Sequence, residues 1–357
     1  MKRELLAILA CPRCRGDLSL VESRQERGSH ILSGTLQCAS CSQFYPVETG
    51  IPRLVQAEES VQETGRRFNF QWVSRWQGGF EQSNRCYGFD HQEYVSWIMA
   101  RLAEYGPLKL GDRVLDAGCG SGEKTSVMAR LCPGQQVIGL DLGIGALERA
   151  AAQFGEIENL HYVQGNILQP PFKWDTFRWG ISIGMLHHTP NTRRAFSQFR
   201  KLLVADAALL IWLYQPFWDA PEWRPLYFAR DVLFLGQSPK LPPRLLQTSA
   251  LLLAAAFFPL GQFAWWRHGR RLSKQLPFFN HRNMTARERF DAQVFHLFDT
   301  LLPRYQFRHK RREIEAWFAE EGLEMAFHAH GYYLASTAKR FLRQSPSTLH
   351  ARALPAR

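Results

Sequence analysis

The sequence predicts an α/β protein: a doubly wound, mostly parallel sheet, a small ribbon ahead of it and a helical insertion late in the chain. Three observations carry this. Apolar runs at Arg113–Asp116, Val137–Asp141, His161–Asn166 and Phe177–Ile183 alternate with helix-length segments, as in a chain of βα units. Two Cys-x-x-Cys pairs stand near the N-terminus. Ser249–Trp266 is a nearly unbroken apolar stretch flanked by Arg244, Arg267, Arg270 and Arg271.

Composition sets the outer limits. The 357 residues suffice for a full domain with additions, and 45% apolar against 21% charged residues describes a folded globular chain. The formal charge of +12 favours an anionic partner, whether nucleic acid, acidic lipid or acidic substrate. Met1–Ala10 is short and carries Glu4, unlike a secretory signal. A reducing, cytoplasmic setting is therefore expected, where paired cysteines bind metal more often than each other.

In chain order, Cys11-Pro-Arg-Cys14 and Cys38-Ala-Ser-Cys41 are separated by 23 residues. Two such knuckles supply four thiolates to one tetrahedral zinc. Ser19–Val21 and Ile31–Gln37 read as strands joined by a turn over Gln25–Ser29. So small a module has little core, and a metal supplies the missing stability. Gln56–Gly65 reads as a linker. Phe68, Phe70, Trp72 and Trp76, then Tyr87, Phe89 and Tyr94, either pack between domains or form an aromatic lid over a ligand, since a cation is attracted to aromatic faces. His91–Tyr105 reads as a helix.

Val114-Leu-Asp-Ala-Gly-Cys-Gly-Ser-Gly122 organises the rest. A buried strand ends at Asp116, and Gly118, Gly120 and Gly122 let the backbone turn tightly and approach a ligand. A helix to Leu131 follows, and its start offers unpaired N–H groups. The spacing departs from the dinucleotide G-x-G-x-x-G and lacks the G-K-[ST] of a phosphate loop. An acid at the loop suits a ligand bearing an ammonium group. Asp141 lies 25 residues on, at the tip of the next strand, one βαβ unit away, where a carboxylate reaches ribose hydroxyls.

This segment resembles the first motif of the class I S-adenosylmethionine (SAM) dependent methyltransferases. Gly184-Met-Leu-His-His-Thr-Pro-Asn191 resembles their fourth motif in its His-His-Thr-Pro form. The resemblance implies a seven-stranded, Rossmann-like methyltransferase sheet with SAM as cosubstrate. It implies cofactor contacts from Asp116, Gly118, Cys119, Gly120, Gly122, Asp141, Leu142, Asn166, Ile167 and Gly184. Asn166 replaces the usual Asp beside the adenine amino group, and an amide oxygen accepts the same bond. The usual Lys-Pro-Gly-Gly before strand five is replaced by Val204-Ala-Asp-Ala207. His187 and His188 are candidate bases where the nucleophile carries a proton. Cys38-Ala-Ser-Cys41, Tyr45-Pro46 and Gly50-Ile51-Pro52 resemble the Trm112-like zinc ribbons, which implies a structural zinc on Cys11, Cys14, Cys38 and Cys41.

The expected division is a ribbon at 1–56, a linker and aromatic cap at 57–110, and a SAM-binding core at 111–214. A hydrophobic insertion follows at 215–309, then a closing helix and hairpin at 310–340 and a disordered tail at 341–357. Glu313–Glu321 reads as the last helix, and Leu323–His330 with Tyr332–Thr337 as the last hairpin. A single membrane crossing by Ser249–Trp266 would part that hairpin from its sheet. The stretch is therefore an interfacial element on an anionic membrane surface, a wall around a greasy substrate, or a buried helix. His281, His296 and Asp299 are candidate substrate contacts. Arg304–Arg312 is a second basic cluster, suited to anionic lipid, a phosphate-bearing substrate or RNA, or a solvated helix start. The resulting expectation is a methyltransferase acting on a small or lipid-like metabolite. The alternatives are a methyltransferase of RNA or protein, and a non-catalytic SAM-binding scaffold.

Overall fold

The computed structural model describes residues 1–55, 59–75, 90–220, 224–276, 278 and 284–336. The chain opens with a meander of β1 (Leu18–Arg27), β2 (His30–Cys38), β3 (Phe44–Glu48) and β4 (Ile51–Leu54). α1 (Glu59–Ser74) and α2 (His91–Tyr105) lead to β5 (Arg113–Ala117), α3 (Glu123–Leu131), β6 (Gln136–Asp141), α4 (Ile144–Phe154), β7 (Leu160–Gly165) and β8 (Phe177–Ile183). Then come α5 (Thr192–Lys201), β9 (Leu203–Trp212), α6 (Arg224–Phe228), α7 (Pro243–Gln275), α8 (Ala286–Leu301), α9 (Arg311–Glu320), β10 (Glu324–Ala329) and β11 (Tyr332–Ser336).

The core strands stand in the order β7-β6-β5-β8-β9-β11-β10. All neighbours are parallel except β11, which is antiparallel to both β9 and β10. Strands buried on both faces read as continuous apolar runs, as Val114–Leu115 and Val137–Ile138 do. One face packs on α2, α3 and α4 through Ile98, Leu102, Met128 and Leu147. The other packs on α5 and α9 through Phe196, Phe199, Ile314 and Phe318. Helix starts are capped where the sequence allows: Asp90 accepts from the Gln92 and Glu93 amides, and Thr285 with Glu288 forms a capping box.

The ribbon is not a separate bead. β4 pairs in parallel with β7, Arg53 opposite Gln164 and Leu54 opposite Gly165, so one sheet runs through eleven strands. The Arg15 guanidinium donates to the Pro170 and Phe172 carbonyls and lies 3.7 Å over the Trp174 ring. Lys2 Nζ donates to the Ile157 carbonyl at 3.0 Å, and Arg53 pairs with Glu148 at 2.9 Å.

Three local expectations change. β1 continues to Arg27 instead of ending at Val21, pairing through bulges with β2; an arm exposed on both faces needs no apolar alternation. Helix α1 begins at Glu59, inside the expected linker, because its far half covers the core. β9 begins at Leu203, so Val204–Ala207, where a turn before strand five was expected, lie within the strand as a bulge opposite β8, and Asp206 pairs with Arg178. The tail at 341–357, and Trp76, Tyr87, Phe89 and His281, lie outside the described residues.

The apolar stretch Ser249–Trp266 is the middle of α7, a 33-residue helix. Leu246, Ala250 and Ala254 pack on Val294, Phe295 and Phe298 of α8, forming a third cluster apart from the sheet. This is the one helix among the described residues long and apolar enough to cross a membrane, and 17% of its most apolar window is buried.

Candidate active site

The carboxyl ends of β5, β6, β7 and β8 open on a cavity of about 740 Å3. That lies within the ~300–1,000 Å3 usual for small-molecule sites. One end is the glycine loop. Gly118 and Cys119 amides both donate to the Leu140 carbonyl, at 2.7 and 3.1 Å, which folds the loop over β6. Gly120 has φ +54° and presses against the Trp72 indole, so a Cβ there would be strained and would strike the ring. Gly122 has φ +77° and abuts the Tyr162 hydroxyl and the Ala150 methyl.

Asp141 stands on the cavity wall. Its Oδ2 accepts from Gly120 N and its Oδ1 from Gly143 N, both at 2.8 Å. Burial raises its pKa, and these amide bonds oppose the shift. Each oxygen keeps a further lone pair for a ligand hydroxyl. Asp116 sits otherwise. It is fully enclosed behind the loop, off the cavity wall, and accepts from Thr125 Oγ1 at 2.7 Å. Burial raises its pKa too, against the nearby Lys124 charge and the Thr125 bond. Gly122 likewise lies off the wall, whereas Gly118, Cys119, Gly120, Leu142, Asn166, Ile167 and Gly184 lie on it. Asn166 Oδ1 accepts from Leu168 N at 3.0 Å, which fixes the amide plane. Burial pushes the Cys119 thiol well up, so it stays a neutral wall group.

The two histidines part company. His188 faces the cavity, its ring 5.3 Å from that of Phe68. Its Nδ1 lies 2.9 Å from the Tyr305 carbonyl, so Nδ1 carries the proton and Nε2 is the basic atom of the neutral ring. Burial lowers its pKa from 6.5 to about 4. His187 lies off the wall, stacked on Tyr214 at 4.1 Å. Neither of its ring nitrogens has a hydrogen-bond partner among the described groups, and burial holds its pKa well below the usual value.

The far end of the cavity is apolar, walled by α1, α6, α7 and α8. Arg224, His268, Gln293 and His296 also line the cavity, and Asp299 anchors a polar cluster on its wall. Asp299 accepts from Gln71 Nε2 at 2.7 Å and from the Tyr214 hydroxyl at 3.2 Å. Burial raises the Asp299 pKa, and the two bonds oppose that rise. Sequence reasoning placed Asp299 and His296 as substrate contacts, and both line the cavity. It missed Gln71 and Tyr214 as site residues: they come from α1 and the exit of β9, and no local spacing joins them. Phe68, Trp72 and Tyr94 line the cavity, the position an aromatic lid requires.

In the ribbon, the sulfurs of Cys11, Cys14, Cys38 and Cys41 lie within 4.8 Å of one another. Sulfur contacts are 3.7 Å for Cys11–Cys41 and 3.4 Å for Cys14–Cys38, and the Tyr45 hydroxyl lies 3.2 Å from Cys11 Sγ. Four converging thiols fit one tetrahedral zinc, and with all four positions filled by protein the site is structural.

Fold and site together define an α/β protein with a nucleotide-type pocket at the strand tips and a cysteine-built zinc ribbon. Residues 114–206 match the family described as methyltransferase domain, and residues 2–50 match the Trm112p-like proteins. The chain thus carries a methyltransferase domain behind a Trm112-like one. Among curated proteins it is 25% identical over 177 residues to squalene methyltransferase 1 of Botryococcus braunii, covering 48% of this chain and 46% of that protein. It is 28% identical over 138 residues to sterol 24-C-methyltransferase ERG6 of Saccharomyces cerevisiae, covering 37% and 36%. The chain thus spans less than half the length of these relatives. Among solved structures, magnesium protoporphyrin IX methyltransferase of Synechocystis gives a TM-score of 0.43 at 15% identity, covering 78% of this chain and 98% of that one. A complex containing the Haloferax volcanii Trm112 methyltransferase activator gives 0.42 at 14%, covering 74% and 78%.

Proposed function

We propose that this protein is a SAM-dependent methyltransferase whose acceptor is an apolar, lipid-like small molecule. The observation that carries this reading is the two-ended cavity: a glycine loop with Asp141 and Asn166 at one end, and apolar walls from the insertion at the other. The names of the squalene and sterol methyltransferases among its relatives agree with an apolar acceptor. Such an acceptor resides in membranes, and the protein is expected at the cytoplasmic face of one.

The residues present fit the cosubstrate. Asp141 has free lone pairs for the ribose hydroxyls, and the loop glycines admit a ligand against bare backbone. Asn166 and Ile167 are assigned to the adenine edge and face. Asp116 acts from behind the loop, where it anchors the start of α3 and biases the loop toward a cationic amino group. Bound there, SAM supplies a methyl on a good leaving group, so the chain's own work is alignment and exclusion of water. Trp72 and Phe68 close the loop side, and α7 and α8 the acceptor side. Where the acceptor must lose a proton, His188 Nε2 is the neutral base on the wall; Tyr214 and Asp299 hold a polar end of the acceptor.

The reading of an RNA or protein acceptor finds less support. The basic cluster at 304–312 is largely tied within the chain: Arg304 to Glu63, Arg308 to Asp231 and Arg311 to Glu315. The ribbon is engaged by its own core, which suits an intramolecular scaffold. Incubation with methyl-labelled SAM and fractionated cell extract tests the proposal. Label in the lipid fraction supports it, and label confined to RNA or protein rejects it.

A further inference from the structure

Helix α7 has two unlike faces. One packs on α8 and walls the cavity. The other is apolar and uncovered: Leu245, Leu252, Phe263 and Trp266 recur at helical spacing, with Leu252 65% exposed. The same outward line continues into Arg267, Arg270 and Lys274, while Arg244 marks the opposite end. The Arg270 guanidinium lies 4.9 Å over the Trp266 ring. No acidic residue occurs anywhere in α7. An apolar stripe this long, with tryptophan beside cations at its end, is the composition of an element lying in a lipid interface.

On α7 the cavity lining borders this stripe. Phe217, Phe228, Leu233, Phe257 and Leu260 line the cavity and are also exposed, Leu260 at 67%. They give the cavity an exposed apolar rim drawn from α7, Phe217 and the stretch 228–233, where Val232 is exposed as well. A mouth of this kind in water would offer an apolar molecule no route that avoids solvent. A crossing by α7 is excluded by topology: β11, which follows it, pairs with β9, which precedes it.

We infer that α7 docks flat on an anionic lipid bilayer and that the cavity mouth faces into the bilayer, so an apolar acceptor enters laterally without passing through water. The stripe supplies apolar burial, and the arginines and lysine meet acidic headgroups. The proposed lipid-like acceptor is the only part of the preceding reading on which this rests.

The test uses the full-length protein, vesicles of phosphatidylcholine alone or with added phosphatidylglycerol, and co-sedimentation. The protein is expected to bind anionic vesicles at least about tenfold more tightly than neutral ones. L252E/F263E, which changes two side chains off the cavity wall, should weaken binding at least about tenfold. R267E/R270E should remove the preference for anionic lipid. Heat of association with S-adenosylhomocysteine should be unchanged in both, which also reports that they fold. A fluorescent amino acid at position 260 should shift to the blue on anionic vesicles; one at exposed Leu110, before β5 at the opposite end of the strand, should not. Absence of vesicle binding by the wild-type protein overturns the inference. So does binding unchanged in both variants, or a concentration-dependent dimer that L252E/F263E abolishes in place of vesicle binding. Loss of the heat in the wild-type protein would instead strike at the methyltransferase reading and leave the docking result standing.

Discussion

At the scale of single residues, Asp141 carries the greatest load. Its two oxygens satisfy the amides of Gly120 and Gly143, so the carboxylate shapes the loop as well as facing the cavity. Asp141→Ala leaves two amides without their acceptor. Hydrogen bonds to a charged group are worth roughly 1.5–3 kcal/mol, so S-adenosylhomocysteine should bind about 10–100-fold more weakly by calorimetry. Asp141→Asn, which keeps one acceptor, should fall between. A second residue-scale prediction concerns acid. His188 and His296 are enclosed and neutral, each lowered from 6.5 to about 4 by burial. The unfolded chain therefore takes up more protons between those values. Stability is fully present above about pH 6.5 and is lost as pH falls toward about 4. The denaturant midpoint should drop over that window, and His296→Asn should flatten the drop. The glycines and Asp141 were legible because one strand, one turn and the next strand tip keep them at fixed sequence spacing. Gln71 and Tyr214 were not, because the fold brings them to Asp299 from distant segments of the chain. The division between His187 and His188 was equally hidden, since a one-residue step in a tight turn reverses what each ring faces.

At the scale of elements, the ribbon and the core share a ladder. β4 lies against the outer edge of β7, and Arg15 ties the first knuckle to the carbonyls of Pro170 and Phe172. Metal binding in so small a module is folding energy. Removing zinc with a chelator should therefore loosen β1 to β4 and also uncover the edge of β7. Hydrogen exchange should quicken at Leu160–Gly165 upon chelation, while β5 and β8, in the middle of the sheet, stay protected. Unchanged exchange at β7 would mean that the ribbon folds or docks without its metal. The cysteine spacing announced the zinc set, alternating apolar runs announced four parallel core strands, and the resemblance to class I methyltransferases implied the seven-stranded sheet. The joining of the two sheets was not readable: Ile51–Leu54 is four residues long, and nothing in so short a run names its neighbour.

At the scale of the whole molecule, the insertion converts a cofactor-binding sheet into a two-ended chamber. Helices α7 and α8 have their own apolar cluster, so they form a wall that stands on the sheet. The length and apolarity of Ser249–Trp266 were plain in the sequence. Which face of that stretch met protein was not, because apolar residues occur all round the helix and periodicity alone assigns no inner side. What receives the methyl group separates an apolar-acceptor methyltransferase from one acting on RNA or protein. The most direct measurement is transfer from methyl-labelled SAM to membrane lipid extract, partitioned between organic and aqueous phases. Label is expected in the organic phase, and at subsaturating SAM it should fall about 10–100-fold with Asp141→Ala. Label only in water-soluble, RNA or protein fractions, or organic label untouched by that substitution, would contradict the proposed function.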